Sequence, residues 1–122
     1  MSEPLRVLMV EDQDDLRELI GQALRDFGIE VHTATDGPKA VELIDTTGGF
    51  DVVFSDVNMP QGMSGLELSA HVANALPNAR MILSSGYERS QLPQLQDNVE
   101  FLPKPYRLKQ LVSLLKESPP AN

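Results

Sequence analysis

Five short apolar runs alternate with five longer segments whose apolar residues recur at helical spacing, and no internal repeat or low-complexity block interrupts them. The runs Val7-Leu8-Met9-Val10, Val52-Val53-Phe54 and Met81-Ile82-Leu83 are apolar throughout. That predicts strands covered on both faces in the middle of a parallel sheet. Ile29-Glu30-Val31-His32 alternates, and Val99-Glu100-Phe101-Leu102 is short and partly polar, as outermost strands are. The pattern as a whole predicts a single doubly wound α/β domain.

Between the runs, Leu16, Leu19, Ile20, Ala23, Leu24 and Phe27 form one helical stripe that stops at Gly28, a predicted C′ residue. Asp36 is placed to cap a second helix that carries Ala40, Val41, Leu43 and Ile44 and ends near Gly48-Gly49. Ser64 and Glu67 make a capping-box pattern for a third, with Leu66, Ala70, Ala73 and Leu76 predicted inward and Pro77 beyond its end. A fourth segment, Tyr87 to Asp97, is a weak helix, because Pro93 interrupts it and only Leu92 and Leu95 form its apolar stripe. Leu108, Leu111, Val112 and Leu115 mark the fifth. The domain is expected over residues 1–117, with 118–122 a disordered tail or linker stub.

Composition narrows the function. With 122 residues, 41% hydrophobic and 23% charged, the chain has room for one core and is neither disordered nor fibrous. No apolar run approaches the ~18 residues needed to cross a bilayer and the N-terminus lacks signal-peptide features, so a cytoplasmic protein without membrane insertion is expected. Zero cysteines exclude disulfides and thiolate metal sites. A net charge of −8 argues against direct nucleic-acid binding. That charge is unevenly spread: residues 1–60 hold 13 acids and 4 bases, residues 61–122 hold 5 acids and 6 bases.

Open parallel sheets bind ligands outside the carboxyl ends of their strands. Reading just past each predicted strand gives Glu11-Asp12 after the first, Asp56 after the third, Ser84-Ser85 after the fourth and Lys104 after the fifth. Singly, each reads as a cap or a solvated side chain. Together they gather three carboxylates, each close pair of which repels by about 4 kcal/mol at ~4 Å and an effective dielectric of 20. A hard divalent cation relieves that repulsion, and Mg²⁺ suits an all-oxygen donor set. The lysine and serine beside it then point to an anion such as a phosphoryl group.

Four segments carry a further resemblance: Glu11-Asp12, Phe54-Ser55-Asp56-Val57-Asn58-Met59-Pro60, Met81-Ile82-Leu83-Ser84-Ser85-Gly86-Tyr87 and Phe101-Leu102-Pro103-Lys104-Pro105-Tyr106. In this order, from about Leu5 to Lys116, the chain resembles the CheY-like receiver domain of two-component response regulators. The resemblance implies a flavodoxin-like five-stranded parallel sheet in the order 2-1-3-4-5 with helices on both faces. It implies that Asp56 is the phosphoacceptor, charged by a histidine kinase or histidine phosphotransfer protein. It assigns Mg²⁺ to Glu11, Asp12, Asp56 and the backbone carbonyl of Asn58, phosphoryl pairing to Lys104, a mobile hydroxyl to Ser84 and a switch aromatic to Phe101. It also implies a signalling domain that catalyses only its own phosphorylation and dephosphorylation and binds a downstream protein effector. Phe101 lacks the hydroxyl that many relatives carry as Tyr. The loop Pro60 to Gly65 is one residue longer than the commonest spacing, a form associated with receivers attached to hybrid sensor kinases.

Two other readings compete. A Mg²⁺-dependent phosphatase or toprim-type domain would also place Glu11 after one strand and an acidic pair after another, but Asn58 and the ordered Ser84 and Lys104 fit it less well. A flavodoxin-like FMN module needs hydroxyl- and glycine-rich loops where this chain has carboxylates. His32 and His71 lack metal-binding neighbours in sequence. Met59 and Met63 read as gap-filling residues. Leu16 is placed to lie on the rim where a partner's histidine-bearing helix docks.

Overall fold

The computed structural model describes residues 4–57, 63–86 and 99–117. In chain order its elements are β1 (Arg6–Val10), α1 (Asp14–Asp26), β2 (Glu30–Ala34), α2 (Gly37–Thr46), β3 (Val52–Asp56), α3 (Gly65–Ala75), β4 (Arg80–Ser85), β5 (Val99–Pro103) and α4 (Leu108–Lys116). All strand pairs are parallel and the sheet order is β2-β1-β3-β4-β5. The expected fold class and strand order are thus found. The expected weak helix between Tyr87 and Asp97, the carbonyl of Asn58 and the tail 118–122 lie outside the described residues.

Alternation along the strands builds two cores, one on each side of the sheet. Val7, Met9, Phe54, Ile82 and Leu102 point to the side covered by Ile20 and Leu24 of α1 and Leu111 and Leu115 of α4. Leu8, Val10, Val53, Leu83 and Val99 point to the side covered by Ala40 and Ile44 of α2 and Leu68 and Val72 of α3. The apolar runs within β1 and β3 follow from this double cover: Val7, Leu8, Val52 and Val53 are all 0% exposed.

Local signals set the helix ends. The Asp36 carboxylate accepts from the Lys39 amide at 2.9 Å, and the Ser64 hydroxyl accepts from the Glu67 amide at 3.1 Å in a reciprocal capping box. Gly28 follows α1 with φ +83°, the left-handed turn that frees the chain to enter β2.

Two expected helix faces need correction. The buried positions of α3 are Gly65, Leu68, Ser69 and Val72, while Ala70 is exposed and Leu66, Ala73 and Leu76 are only half-buried. Leu68 and Val72, four apart, fill the layer against the sheet, and the small Ala70 adds too little apolar area to turn the helix its way. On α1 Leu19 is 69% exposed, and Phe27 just past its end is 50% exposed, so the buried stripe narrows to Ile20, Gly21 and Leu24. The third and fourth strands also run further than their apolar runs, so that Asp56, Ser84 and Ser85 are strand residues rather than loop residues.

Gly65 connects the fold to the carboxyl edge of the sheet. A Cβ there would collide with the carbonyl oxygen of Asp56 and sit 2.9 Å from both Val57 Cα and Leu83 Cδ2. The glycine lets α3 start directly against the end of β3, where its amide donates to the Val57 carbonyl at 2.7 Å. Gly65→Ala is therefore expected to destabilise the domain by about 1–3 kcal/mol in denaturant unfolding. Gly21→Ala is the control: its nearest neighbour would be 3.6 Å away, and it should be neutral or stabilising by up to ~1 kcal/mol through helix propensity. Equal effects would contradict the assigned close approach at Gly65.

Candidate functional site

Because all five strands are parallel, their carboxyl ends share one edge, and the polar residues at those ends converge. Val10 is registered against Ser55, Asp56 against Ser84 and Ser85 against Pro103. Backbone bonds extend the alignment past the strands. The Glu11 amide donates to Ala34, the Val57 amide to Ser84 and the Lys104 amide to Ser85, at 3.0, 2.9 and 2.8 Å. Asp12, Gln13, Asp56, Ser84, Ser85, Gly86 and Lys104 then line a cleft of about 200 Å³.

Carboxylate oxygens of Glu11, Asp12 and Asp56 lie within 4.8 Å of one another. The expected acidic trio is thus brought together, and Lys104 joins it: its ammonium Nζ is 2.6 Å from Asp56 Oδ1. Asp56 is largely enclosed, with its side chain 12% exposed, whereas that of Lys104 is 34% exposed. This separation lets the lysine reach in from the rim while the carboxylate stays fixed on the strand. The Lys104-Pro105 peptide is cis. The donor set is all oxygen, short of positive charge and open on one side, which fits a divalent cation of the Mg²⁺ type.

Glu11 is 5% exposed. Burial pushes its carboxyl up to about 7 from an ordinary 4.5; the Gln13 amide opposes the rise, the charge of Asp56 and a hydrogen bond with Asp12 add to it, and Lys104 opposes it. The Gln13 amide donates to Glu11 Oε2 at 3.1 Å, and Arg17 donates to the Glu11 backbone carbonyl at 3.0 Å while pairing with Asp14 at 2.6 Å. Gln13 acts through its backbone amide, where residue type leaves no mark in the sequence, and Arg17 through its guanidinium on the backbone carbonyl of Glu11, a contact that no motif signals.

The two serines separate by the pleat of β4. Ser84 continues the side of Phe54, Ile82 and Leu102, the side on which Asp56 and Lys104 stand. Ser85 continues the side of Leu83, against which Phe101 packs. Ser84 and Phe101, expected as two parts of one switch, therefore stand on opposite sides of the sheet, and the serine on Phe101's side is Ser85. The signal in the sequence was the doubled serine itself, since period-two alternation sends adjacent residues to opposite faces. His32 and His71 pair with Glu30 and Asp45 at 3.0 and 3.2 Å, away from this edge.

The family model of the response regulator receiver domain matches residues 7–116. The sensor kinase CckA of Brucella abortus (strain 2308) is 38% identical over 115 residues, which cover 91% of this chain and 12% of the kinase. The chain thus spans about an eighth of that relative's length. Among solved structures, the receiver domain of the hybrid histidine kinase CckA aligns with a TM-score of 0.77 and 37% identity, covering 91% of this chain and 95% of that one. The response regulator protein TrrA from Thermotoga maritima, solved in complex with Mg²⁺ and BeF, aligns with a TM-score of 0.74 and 33% identity over 91% and 98% of the two chains. These matches support the receiver reading over the phosphatase or toprim-type one.

The position of Glu11 gives a pH signature in metal-free protein. Its folded carboxyl titrates at about 7 and its unfolded one near 4.5, so between those values the folded state holds the extra proton. Stability contributed by that proton is present below pH 4.5 and lost as pH rises through 7. Relative to Glu11→Gln, the parent's melting temperature should fall over this window. A constant difference between the two proteins would contradict the assigned burial.

Proposed function

Since this chain belongs to the response regulator receiver domain family, the phosphoryl-accepting signalling domain of two-component systems, we propose that Asp56 is its acceptor and a protein phosphohistidine its donor. The observation that carries this reading is the placement of Asp56: a strand-fixed carboxylate with an ammonium at 2.6 Å and two further carboxylates within 4.8 Å. A nucleophile for phosphoryl transfer needs cationic groups around the oxygens of the incoming group; this edge offers one directly, and its three clustered carboxylates suit a cation beside it.

An Asp56 carboxylate oxygen attacks phosphorus, the phosphorus–nitrogen bond breaks, and the imidazole leaves with the electron pair and takes up a proton. The product is an acyl phosphate. Lys104, already at the carboxylate, holds a phosphoryl oxygen. Glu11, Asp12 and Asp56 would hold Mg²⁺, joined by the Asn58 carbonyl, and the ion when bound neutralises charge shared by the carboxylates and the phosphoryl oxygens. We assign the mobile hydroxyl that meets a phosphoryl oxygen to Ser85 instead of Ser84, because a hydroxyl coupled to Phe101 has to stand on Phe101's side. Phe101, half-buried and without a hydroxyl of its own, responds by packing alone. Beyond accepting and hydrolytically losing its own phosphoryl group, the domain performs no chemistry.

A groove of about 620 Å³ runs beside the acidic cleft and shares Gly86 and Lys104 with it. Leu16, Leu19, Ile20, Tyr106 and Leu108 make its walls, and Tyr106 is braced edge-on against Phe54 with ring centroids 5.8 Å apart. Leu19, exposed and unexplained by the core, and Leu16, half-buried at the core's margin, fit the apolar face of a donor helix whose histidine then overhangs Asp56. A downstream effector protein reads the phosphorylated state, and the negative charge of the chain disfavours nucleic acid as that partner. The relation to a sensor kinase and the longer loop after Asp56 fit a receiver within or serving a hybrid kinase pathway in the cytoplasm.

Incubation with Mg²⁺ and acetyl phosphate, followed by mass spectrometric mapping, should label Asp56. Lys104→Met should slow labelling about 10²-fold, and Asp56→Asn should abolish it. An Asp56→Asn protein labelled as fast as the parent would overturn the assignment.

A further inference from the structure

Ser84 is 0% exposed and its Oγ finds no hydrogen-bond partner among the described residues. Other buried serines are satisfied: Ser55 donates to the Asp56 carbonyl at 2.9 Å and Ser69 to the Leu66 carbonyl at 2.7 Å. Leaving a buried hydroxyl unmade costs a penalty comparable with a lost hydrogen bond, whereas alanine would fill the same place without it. The hydroxyl is therefore a stability defect in the resting domain.

Its location gives it a use. Ser84 is the register partner of Asp56 across the β3–β4 pair, on the same side of the sheet as Asp56 and Lys104. Neighbouring strands are ~4.8 Å apart, so same-side neighbours come within reach of one another by side-chain rotation. At rest the lysine occupies Asp56 Oδ1. In the acyl phosphate the lysine is drawn to the phosphoryl oxygens, and the remaining acyl oxygen of Asp56, which would offer one lone pair to the cation, has its second lone pair left in an enclosed place without the lysine.

We propose that Ser84 supplies a donor in the lysine's place, alongside the cation: its hydroxyl bonds the acyl oxygen of phosphorylated Asp56 and assists loss of the phosphoryl group. This rests on Asp56 being the acceptor. In hydrolysis, water oxygen attacks phosphorus and the bond from phosphorus to Asp56 oxygen breaks. The electron pair stays on the carboxylate, and inorganic phosphate leaves with the water's oxygen. Negative charge spreads onto the acyl oxygen as the bond breaks, so a hydrogen bond there is stronger in the transition state than in the acyl phosphate. Ser84 thus sets the lifetime of the signal from the carboxylate end, separately from Lys104 and Ser85 at the phosphoryl end.

The test compares the full chain with Ser84→Ala, Ser84→Thr and Ser85→Ala after labelling with acetyl phosphate and Mg²⁺ and removal of the donor. Ser84→Ala should label at Asp56 and lose the phosphoryl group about fivefold more slowly, the worth of one ordinary hydrogen bond. Its acyl carbonyl stretch in difference infrared spectra should move to higher frequency. Ser84→Thr should keep the parent's band and lifetime, Ser85→Ala the parent's band. Unlabelled Ser84→Ala should melt at or above the parent's temperature, showing that the slower loss is not a folding defect. A Ser84→Ala protein with the parent's lifetime and carbonyl band would overturn the proposal while leaving Asp56 as acceptor. A parent unlabelled at Asp56 would instead overturn the acceptor reading, and this assignment with it.

Discussion

Three carboxylates confined at the carboxyl edge of a parallel sheet, with a single ammonium against one of them, are the constraint around which this domain is arranged. Their closeness follows from topology. β1 joins β2 on one side and β3 on the other, so the chain reverses its direction of winding between β1 and β3, and a crevice opens where the helices part to opposite faces. Glu11 and Asp12 leave β1 into that crevice and Asp56 ends β3 beside them. No single motif creates the site; parallel pairing of two buried strands does.

Holding like charges together opposes folding, and the rest of the molecule offsets it. β1 and β3 are buried on both faces, so their positions are fixed by two cores that have no share in the chemistry. The bidentate pair of Arg80 with Glu100, at 2.6 and 2.8 Å, ties β4 to β5, and the same arginine donates to the carbonyls of Leu115 and Glu117 at the end of α4. That end of the sheet is anchored; the opposite end gathers the like charges. Glu11 shows the tension in one group, since burial favours its neutral form while a cation in the crevice would favour its charged one.

Much of this was legible in the sequence, for identifiable reasons. Uninterrupted apolar runs named the central strands, and the residues just beyond them named Glu11, Asp12, Asp56 and Lys104, because parallel pairing leaves those positions no other edge to occupy. The inward face of α3 was misread because Leu66, Leu68, Ala70, Val72 and Ala73 are apolar nearly all round, and only packing volume chooses among them. That Ser84 and Phe101 point to opposite sides of the sheet follows from strand parity, which requires knowing that β4 extends through Ser85. Gln13 and Arg17 were invisible because they act on or through backbone groups.

The central claim is that the carboxylate cluster is kept as a cation site, and thermal unfolding with and without Mg²⁺ at fixed ionic strength tests it most directly. The folded chain gathers the three carboxylates and the unfolded chain disperses them, so a cation held by all three would favour the folded form. At ~100 times its dissociation constant it adds about 2.7 kcal/mol, a rise of several degrees for a domain of this size. The account predicts that rise in the parent and its loss in an Asp12→Ala/Asp56→Asn protein. A melting curve that millimolar Mg²⁺ leaves unchanged, or shifts equally in both proteins, would contradict it.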